Sequence, residues 1–198
     1  MAAETHRDII DAARRLFLER GYAHVTVADI AREAGTAVKT VYTSAGSRLD
    51  ILRETIHHAA AHSGGEGTAE FIRNSEDGPS AIALLAHRTR LSNEHHRESI
   101  AILYSALPVQ ENAAELWEEG TSLYFCALRE IASHLDGLGA LRPGLTVDRC
   151  ADELFFCFGL NAWRTLVDDL GRTWDQAEAE LTAIATRILM DERGLSTG

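Results

Sequence analysis

The chain has 198 residues, 45% hydrophobic and 25% charged, which suits one large globular domain or a small domain joined to a larger one. Acids outnumber bases 30 to 19 for a formal charge of −11, which taken over the whole chain argues against a phosphate-rich partner. The longest strongly apolar stretch without a charge, Leu154 to Trp163, is too short to cross a bilayer; the opening residues lack the apolar run of a signal peptide, and three cysteines build no disulfide framework, so a soluble cytoplasmic protein with no membrane partner is expected.

Helical periodicity runs through the chain and no segment alternates as a strand does, so the expected fold class is all-α. A first helix covers about residues 5–20, with Ile9, Ile10, Ala13, Leu16 and Phe17 on one face and Gly21 as its stop. Thr26-Val-Ala-Asp29 reads as a capping box opening a short helix that ends at Ala34, with Gly35 taking the left-handed turn. A third helix covers about residues 37–44, and Ser47-Arg-Leu-Asp50 is a second capping box for a longer helix. Residues 63–67 and 74–79 are turn-rich, with a short helix at 68–73 between them. Residues 80–95 and 97–107 form two helices apolar on several sides, hence central. Pro108 is expected to begin a long helix to about Leu135, followed by one unbroken helix from Val147 to Leu170. A capping box at Thr173-Trp-Asp-Gln176 opens the last helix, to about Met190.

The charge is unevenly placed. Residues 1–50 hold seven bases and seven acids, so the whole deficit belongs to residues 51–198, and the chain's only lysine, Lys39, lies in the neutral part. Such asymmetry predicts two jobs: a first domain at 1–50 and a second at 51–198. Residues 26–44 have the layout of a helix-turn-helix, whose second helix enters the major groove of double-stranded DNA. Small Ala31 lets the two helices approach, Gly35 makes the turn, and Ile30 and Val41 seal the unit against the first helix. That leaves Thr36, Ala37, Lys39, Thr40 and Tyr42 outward, a set suited to base edges and phosphates. An ordinary helical hairpin with solvated polar residues is the competing reading. An enzyme lacks support: no G-x-S-x-G elbow and no glycine loop between strand and helix occurs.

Gly21-Tyr-Ala-His-Val-Thr26, Val27-Ala-Asp-Ile-Ala-Arg-Glu-Ala-Gly35 and Thr40-Val-Tyr42 followed by Gly46-Ser-Arg48 resemble the tetracycline-repressor (TetR) family of transcription regulators. Leu141-Arg-Pro-Gly-Leu-Thr-Val147, Leu166-Val167 and Gly171-Arg-Thr-Trp174 look like the C-terminal half of many members. The resemblance implies a homodimer reading two major grooves of a palindrome about 34–36 Å apart. It places Thr26 and Arg48 on phosphate, Thr36, Ala37, Lys39 and Thr40 on bases, and Tyr42 and Ser44 near the backbone. Two departures stand out. The family's usual aromatic pair at the end of the recognition helix reads Ser44-Ala45 here, so a phosphate-contacting His and an anchoring Phe are missing. If position 45 is buried, the lost anchor loosens the unit by about 1–3 kcal/mol. A helical interaction module with weakened DNA binding is therefore an alternative.

In the acidic remainder, the apolar stripes at 147–166 and 177–188 suit a two-fold four-helix interface, with Leu154, Phe158, Leu181, Ile184 and Ile188 facing the partner; packing in the chain's own core is the other use of the same stripes. A small hydrophobic or aromatic effector would lie among His87, Arg90, Tyr104, Trp117, Tyr124, Phe155, Phe158 and Trp163, aromatic walls with few polar handles. No cofactor is expected. His57, His58 and His62 share one helix, with His58 and His62 at a spacing that can grip zinc; a solvated face is the plainer reading and a metal-sensing regulator the alternative. Cys150 and Cys157, seven apart, read as small core residues.

Overall fold

The computed structural model describes residues 2–61, 68–110 and 113–190, and among these every regular element is helical. α1 spans Ala2–Arg20 and is followed by a single 3-10 turn at Tyr22–His24. Then come α2 (Val27–Glu33), α3 (Val38–Ala45), α4 (Arg48–Ala61), α5 (Thr68–Arg73), α6 (Gly78–His95), α7 (Arg97–Ala106), α8 (Ala113–Gly137), α9 (Val147–Phe158), α10 (Leu160–Arg164) and α11 (Trp174–Leu189). They fall into two compact units, one of residues 1–62 with 96–120 and one of 63–95 with 121–198.

In the first unit α1 buries Ile9, Ala12, Ala13, Leu16 and Phe17, the three-to-four spacing of one helical face. That face packs with Tyr22, Val25, Ile30, Ala31, Val41, Ala45, Ile51 and Leu52, and Ile102 and Ala106 of α7 complete the same core. Tyr22 is its hub. Its ring is fully buried 5.1 Å from the Phe17 ring, its backbone N–H donates to Ser105 Oγ at 3.1 Å, and its hydroxyl donates to Gln110 Oε1 at 3.2 Å. A buried phenol needs that acceptor, because an unpaired polar group in a core costs roughly 1–3 kcal/mol.

In the second unit α6, α8, α9 and α11 enclose Ile82, Leu85, Leu128, Ile131, Leu135, Leu154, Phe158, Trp163, Leu181 and Leu189. Charged clamps close its rim: Arg90 Nη1 on α6 reaches Asp175 Oδ1 at 2.5 Å and Glu178 Oε2 at 3.0 Å on α11. Arg142 ties down the end of α11, its backbone N–H donating to the Leu189 carbonyl at 2.8 Å and its Nε to that of Ile188 at 2.6 Å.

Three boundaries differ from the sequence expectation, each for a local reason. α6 starts at Gly78 rather than Ser80, because Asp77 is the capping residue: its Oδ1 accepts from the Ser80 amide at 2.7 Å, leaving Pro79 in the first turn, where it is tolerated. Pro108 does not open α8. It sits in the turn that closes α7, where the amides of Val109 and Gln110 both donate to the Ala106 carbonyl, and α8 begins at Ala113. The expected unbroken helix from Val147 to Leu170 is interrupted at Gly159, which is extended (φ −69°, ψ 162°), and residues 165–169 form a π-helical turn. A Cβ at Gly159 would lie 2.6 Å from the Phe155 carbonyl oxygen, so only glycine lets the chain fold back this closely. The Ala162 amide turns to the Gly159 carbonyl at 3.1 Å, and the Phe158 carbonyl accepts from the Tyr124 hydroxyl at 3.1 Å. Burial pushes that phenol's pKa well above its usual value and keeps it a neutral donor. Tyr124→Phe should lower unfolding free energy in urea by about 1–2 kcal/mol, the cost of leaving a mostly buried carbonyl without its donor; an unchanged midpoint would mean water replaces the phenol.

Candidate nucleic-acid interface

α2 and α3 form where local chemistry dictates. The Thr26 hydroxyl oxygen accepts from the Asp29 amide at 3.1 Å while Asp29 Oδ2 accepts from the Thr26 amide at 3.0 Å and from its hydroxyl at 2.5 Å, a closed capping box. Arg32 adds Nη2 to Asp29 Oδ1 at 2.5 Å. The Thr26 hydroxyl and amide, with Arg32, hold the Asp29 carboxyl down to about 2. α2 then ends in a Schellman turn: Thr36 N–H donates to the Ala31 carbonyl at 2.9 Å and Gly35 N–H to that of Arg32 at 3.3 Å. Gly35 sits at φ +64°, where a side chain would strain the backbone.

α3 follows with Ala37 as an N-cap lacking any side-chain bond, so its first amides are not covered by a cap. Val41 (0% exposed) and Ala45 (7%) point into the core. The opposite face carries Ala37, Lys39 and Tyr42, all exposed, with Thr36 and Thr40 half-buried at its edges. Val38 and Thr43 are exposed beside them and were not singled out by sequence. From Ala34 to Leu49 the chain has no carboxylate. A face of short polar groups, one lysine, one phenol and no acid accepts phosphate oxygens and base edges without charge repulsion.

The remaining residues are placed differently. Thr26 is exposed, but its hydroxyl already serves Asp29. Ser44 is half-buried, and its carbonyl accepts from His6 Nδ1 at 2.9 Å. Arg48 lies with its guanidinium 4.3 Å from the centre of the Tyr22 ring and donates Nη1 to the carbonyls of Val25 at 2.8 Å and Tyr22 at 3.4 Å, which braces the turn before α2. Position 45 is interior, so its small side chain removes apolar contact from the core itself. Sequence reasoning missed His6 and the central place of Tyr22; the only signal for the latter was its position in the Gly21–Thr26 stretch.

In the second unit the residues proposed for an effector part company. Tyr124 and Phe155 lie 6.2 Å apart with Phe125 5.8 Å from Phe155, and Trp163 lies 6.1 Å from Trp174, a neighbour that sequence reasoning overlooked. Phe158 and Trp163 are both 1% exposed. His87 and Arg90 face Glu178 across the α6–α11 rim rather than an aromatic wall. Tyr104 belongs to the first unit, and the side chain of Trp117 lies outside the described residues.

Leu154, Phe158 and Leu181 are enclosed in the chain's own core and have no surface to offer a partner subunit. Ile184 is 43% exposed and Ile188 half-buried, while Phe156 on α9 and Leu123 on α8, each 78% exposed, are the most exposed of the large apolar side chains among the described residues. The side chains of His57, His58 and His62 lie outside the described residues, and among those described no three His, Cys, Asp or Glu side chains are gathered as for a metal. Burial pushes the Cys150 and Cys157 thiols up to about 12 and about 11, which keeps them protonated core residues. No helix among the described residues is long and apolar enough to cross a membrane.

A family profile described as "Bacterial regulatory proteins, tetR family" matches residues 9–55, the segment from α1 into α4. A curated relative, the uncharacterized HTH-type transcriptional regulator YvdT of Bacillus subtilis (strain 168), is 25% identical over 126 residues, 64% of each chain. The chain thus spans just under two thirds of that relative, and its matches to other curated regulators span 34% to 45% of their length. The fold is similar to that of a transcriptional regulator from Saccharomonospora viridis in complex with choline, with a TM-score of 0.73 at 18% identity over 96% of this chain and 100% of that one. It is likewise similar to a SmeT–triclosan complex, with a TM-score of 0.73 at 18% identity over 95% and 92%. In an all-helical chain, an N-terminal helix-turn-helix with an acid-free outward face has the layout of a major-groove reader. Residues 9–55 are thus similar to the tetR family of bacterial regulatory proteins, and the fold of the chain is similar to that of solved transcriptional regulators.

The cap on α2 predicts an acid limb in stability. A carboxyl whose folded pKa is lowered from 3.8 to about 2 adds stability above 3.8 that is lost as pH falls toward 2. In thermal melts, Asp29→Asn should be less stable than wild type near neutral pH, with the gap closing toward about pH 2; a gap independent of pH would assign the effect to helix propensity instead.

Proposed function

We propose that the protein is a ligand-responsive repressor that binds a palindromic operator as a homodimer and is released by a small hydrophobic or aromatic effector. The observation that carries the reading is the outward face of α3: Lys39 and Tyr42 exposed beside Ala37, with no carboxylate between residues 34 and 49 in a chain of net charge −11. Phosphate attraction is local, and acidic residues elsewhere are screened beyond roughly 8 Å at physiological salt. By the same reading residues 1–50 hold the DNA-reading surface and residues 51–198 the effector site and dimer contacts, in a protein that works in the cytoplasm.

For the effector, the Tyr124–Phe125–Phe155 cluster and the Trp163–Trp174 pair supply aromatic surface of the kind small apolar ligands use. Fold neighbours crystallised with choline and with triclosan are consistent with small organic effectors in such a helical body. For the dimer, Ile184 with exposed Phe156 and Leu123 supplies outward apolar side chains in place of the buried Leu154, Phe158 and Leu181.

For the response, α7 is the lever: Ile102 and Ala106 share the core of α1, α3 and α4, and the Ser105 hydroxyl holds the Tyr22 amide. α7 follows α6 after one residue, His96, so an effector that favours another pose of the body would move α7 and shift the population away from the pose that fits two grooves. A complete switch needs about 5.5 kcal/mol of differential binding between the two poses.

Gel shifts on the DNA flanking the protein's own gene test the reading. Wild type should bind a palindrome there, and Lys39→Ala and Tyr42→Ala should each weaken binding by about 5- to 100-fold. Between 50 and 200 mM salt the affinity should fall by less than the roughly thousandfold loss of a reader with six phosphate contacts, because few cations face the groove. Phe156→Glu or Ile184→Glu should yield monomers by ultracentrifugation with no operator affinity. A palindrome left unbound at low salt overturns the proposal.

A further inference from the structure

We propose that His6 is a positioning residue for the recognition helix, its doubly protonated ring tying the C-terminal end of α3 to α4 and making operator binding favour the more acidic side of neutrality. The inference rests on the DNA-binding reading above, but it starts from an unrelated contact.

The ring of His6, on the second turn of α1, touches two other helices. Nδ1 lies 2.9 Å from the backbone carbonyl of Ser44 in the last turn of α3, and Nε2 lies 2.7 Å from Glu54 Oε1 on α4. A carbonyl oxygen and a carboxylate oxygen can only accept, so both contacts are hydrogen bonds when both ring nitrogens carry protons. A neutral ring satisfies one partner and turns a lone pair on the other. The Ser44 hydroxyl, 3.5 Å from Nδ1, can change roles with the ring.

The position also suits a cation. The last four carbonyls of a helix lack partners within it, and the C-terminal end carries the negative pole of the helix dipole. α3 has only eight residues and ends at Gly46, and the imidazolium on the Ser44 carbonyl serves as its cap from another helix. Here His6 takes up, from inside the protein, a site next to the two positions where the chain departs from the family pattern, Ser44 and Ala45. Where the core loses an apolar anchor, a charge-assisted hydrogen bond restrains the same turn of helix.

Of the other charged groups on elements packed against α1, Glu33 on α2 pairs with Arg15 at 3.4 Å and Glu98 on α7 with Arg14 at 3.0 Å. On α4, Arg48 turns to the Val25 and Tyr22 carbonyls, Asp50 caps its own helix at Ser47 and Arg53 is half-buried, while Lys39 on α3 and His24 in the 3-10 turn are exposed. Among the described residues Glu54 is the charged group at the His6 ring. The Glu54 hydrogen bond raises the His6 pKa above 6.5, against partial burial, and the Ser44 carbonyl adds to the rise. A group raised in the folded state gives its full stabilisation below about 6.5 and loses it as pH climbs through the higher, folded value. The clamp on α3 is therefore closed below about 6.5 and opens as the pH climbs above that value.

The test uses the full-length protein and a duplex selected by the wild type from a randomised library. By fluorescence anisotropy at constant ionic strength, wild-type affinity should fall roughly two- to tenfold between about pH 6 and pH 8.5, the worth of one net hydrogen bond. His6→Gln should bind with a flatter profile, and Glu54→Gln should move the fall toward 6.5. Identical pH profiles for wild type and His6→Gln overturn the proposal. NMR titration of the free protein is independent of any DNA: the His6 ring should titrate above 6.5 and shift down in Glu54→Gln, and a ring that titrates at or below 6.5 also overturns it. If no duplex is selected, the DNA-binding reading fails, and the titration still decides whether His6 clamps α3.

Discussion

An eight-residue helix does not hold its shape in water, because nucleation costs more than so few hydrogen bonds return. α3 exists because Val41 and Ala45 are buried against α1, Tyr22 and the start of α4. Every outward side chain on it, from Ala37 to Tyr42, owes its direction to that inward pair. Tyr22 occupies the middle of this arrangement, stacked near Phe17, covered by Arg48, and hydrogen-bonded to Ser105 and Gln110. A contact that reaches from the turn before α2 to the end of α7 makes the shape of the helix-turn-helix unit dependent on a segment some 80 residues downstream.

The electrostatics follow from the same packing. The unit is neutral in sum, but its cations are unequal: Arg48 is drawn inward to two carbonyls and an aromatic ring, Arg32 to Asp29, Arg14 and Arg15 to glutamates. Lys39 is left on the outer face of α3. Salt bridges at exposed positions add little to stability. Their effect here is to draw cations into intramolecular pairs, so the outer face of α3 presents hydroxyls, a phenol and a single lysine.

The larger unit shows how one glycine redirects a helix. A continuous 147–170 helix would carry its apolar stripe along one face; the extended backbone at Gly159 lets the chain turn, and Trp163 enters the core beside Trp174. The Tyr124 hydroxyl takes the carbonyl made available at the break, so aromatic side chains on α8 and α9 are gathered around it. The indole Nε1 of Trp163 is buried with no hydrogen-bond partner among the described residues.

Much of the fold was legible in the amino-acid order. The Thr26/Asp29, Ser47/Asp50 and Thr173/Gln176 boxes and the Gly35 turn all formed where their residues stand, because a cap joins groups three residues apart and a Schellman turn closes within six. The inward and outward faces of α1 and α3 were equally readable, since helical spacing is a local property. Tertiary structure alone decided the rest. Whether the stripe through Leu154, Phe158 and Leu181 meets its own core or another chain depends on which faces the neighbours leave open, which no spacing encodes. Pro108 could end one helix or begin another until Val109 and Gln110 found the Ala106 carbonyl. And nothing near His6 announces a partner, because Ser44 and Glu54 lie 38 and 48 residues away and meet it only when three helices share one core.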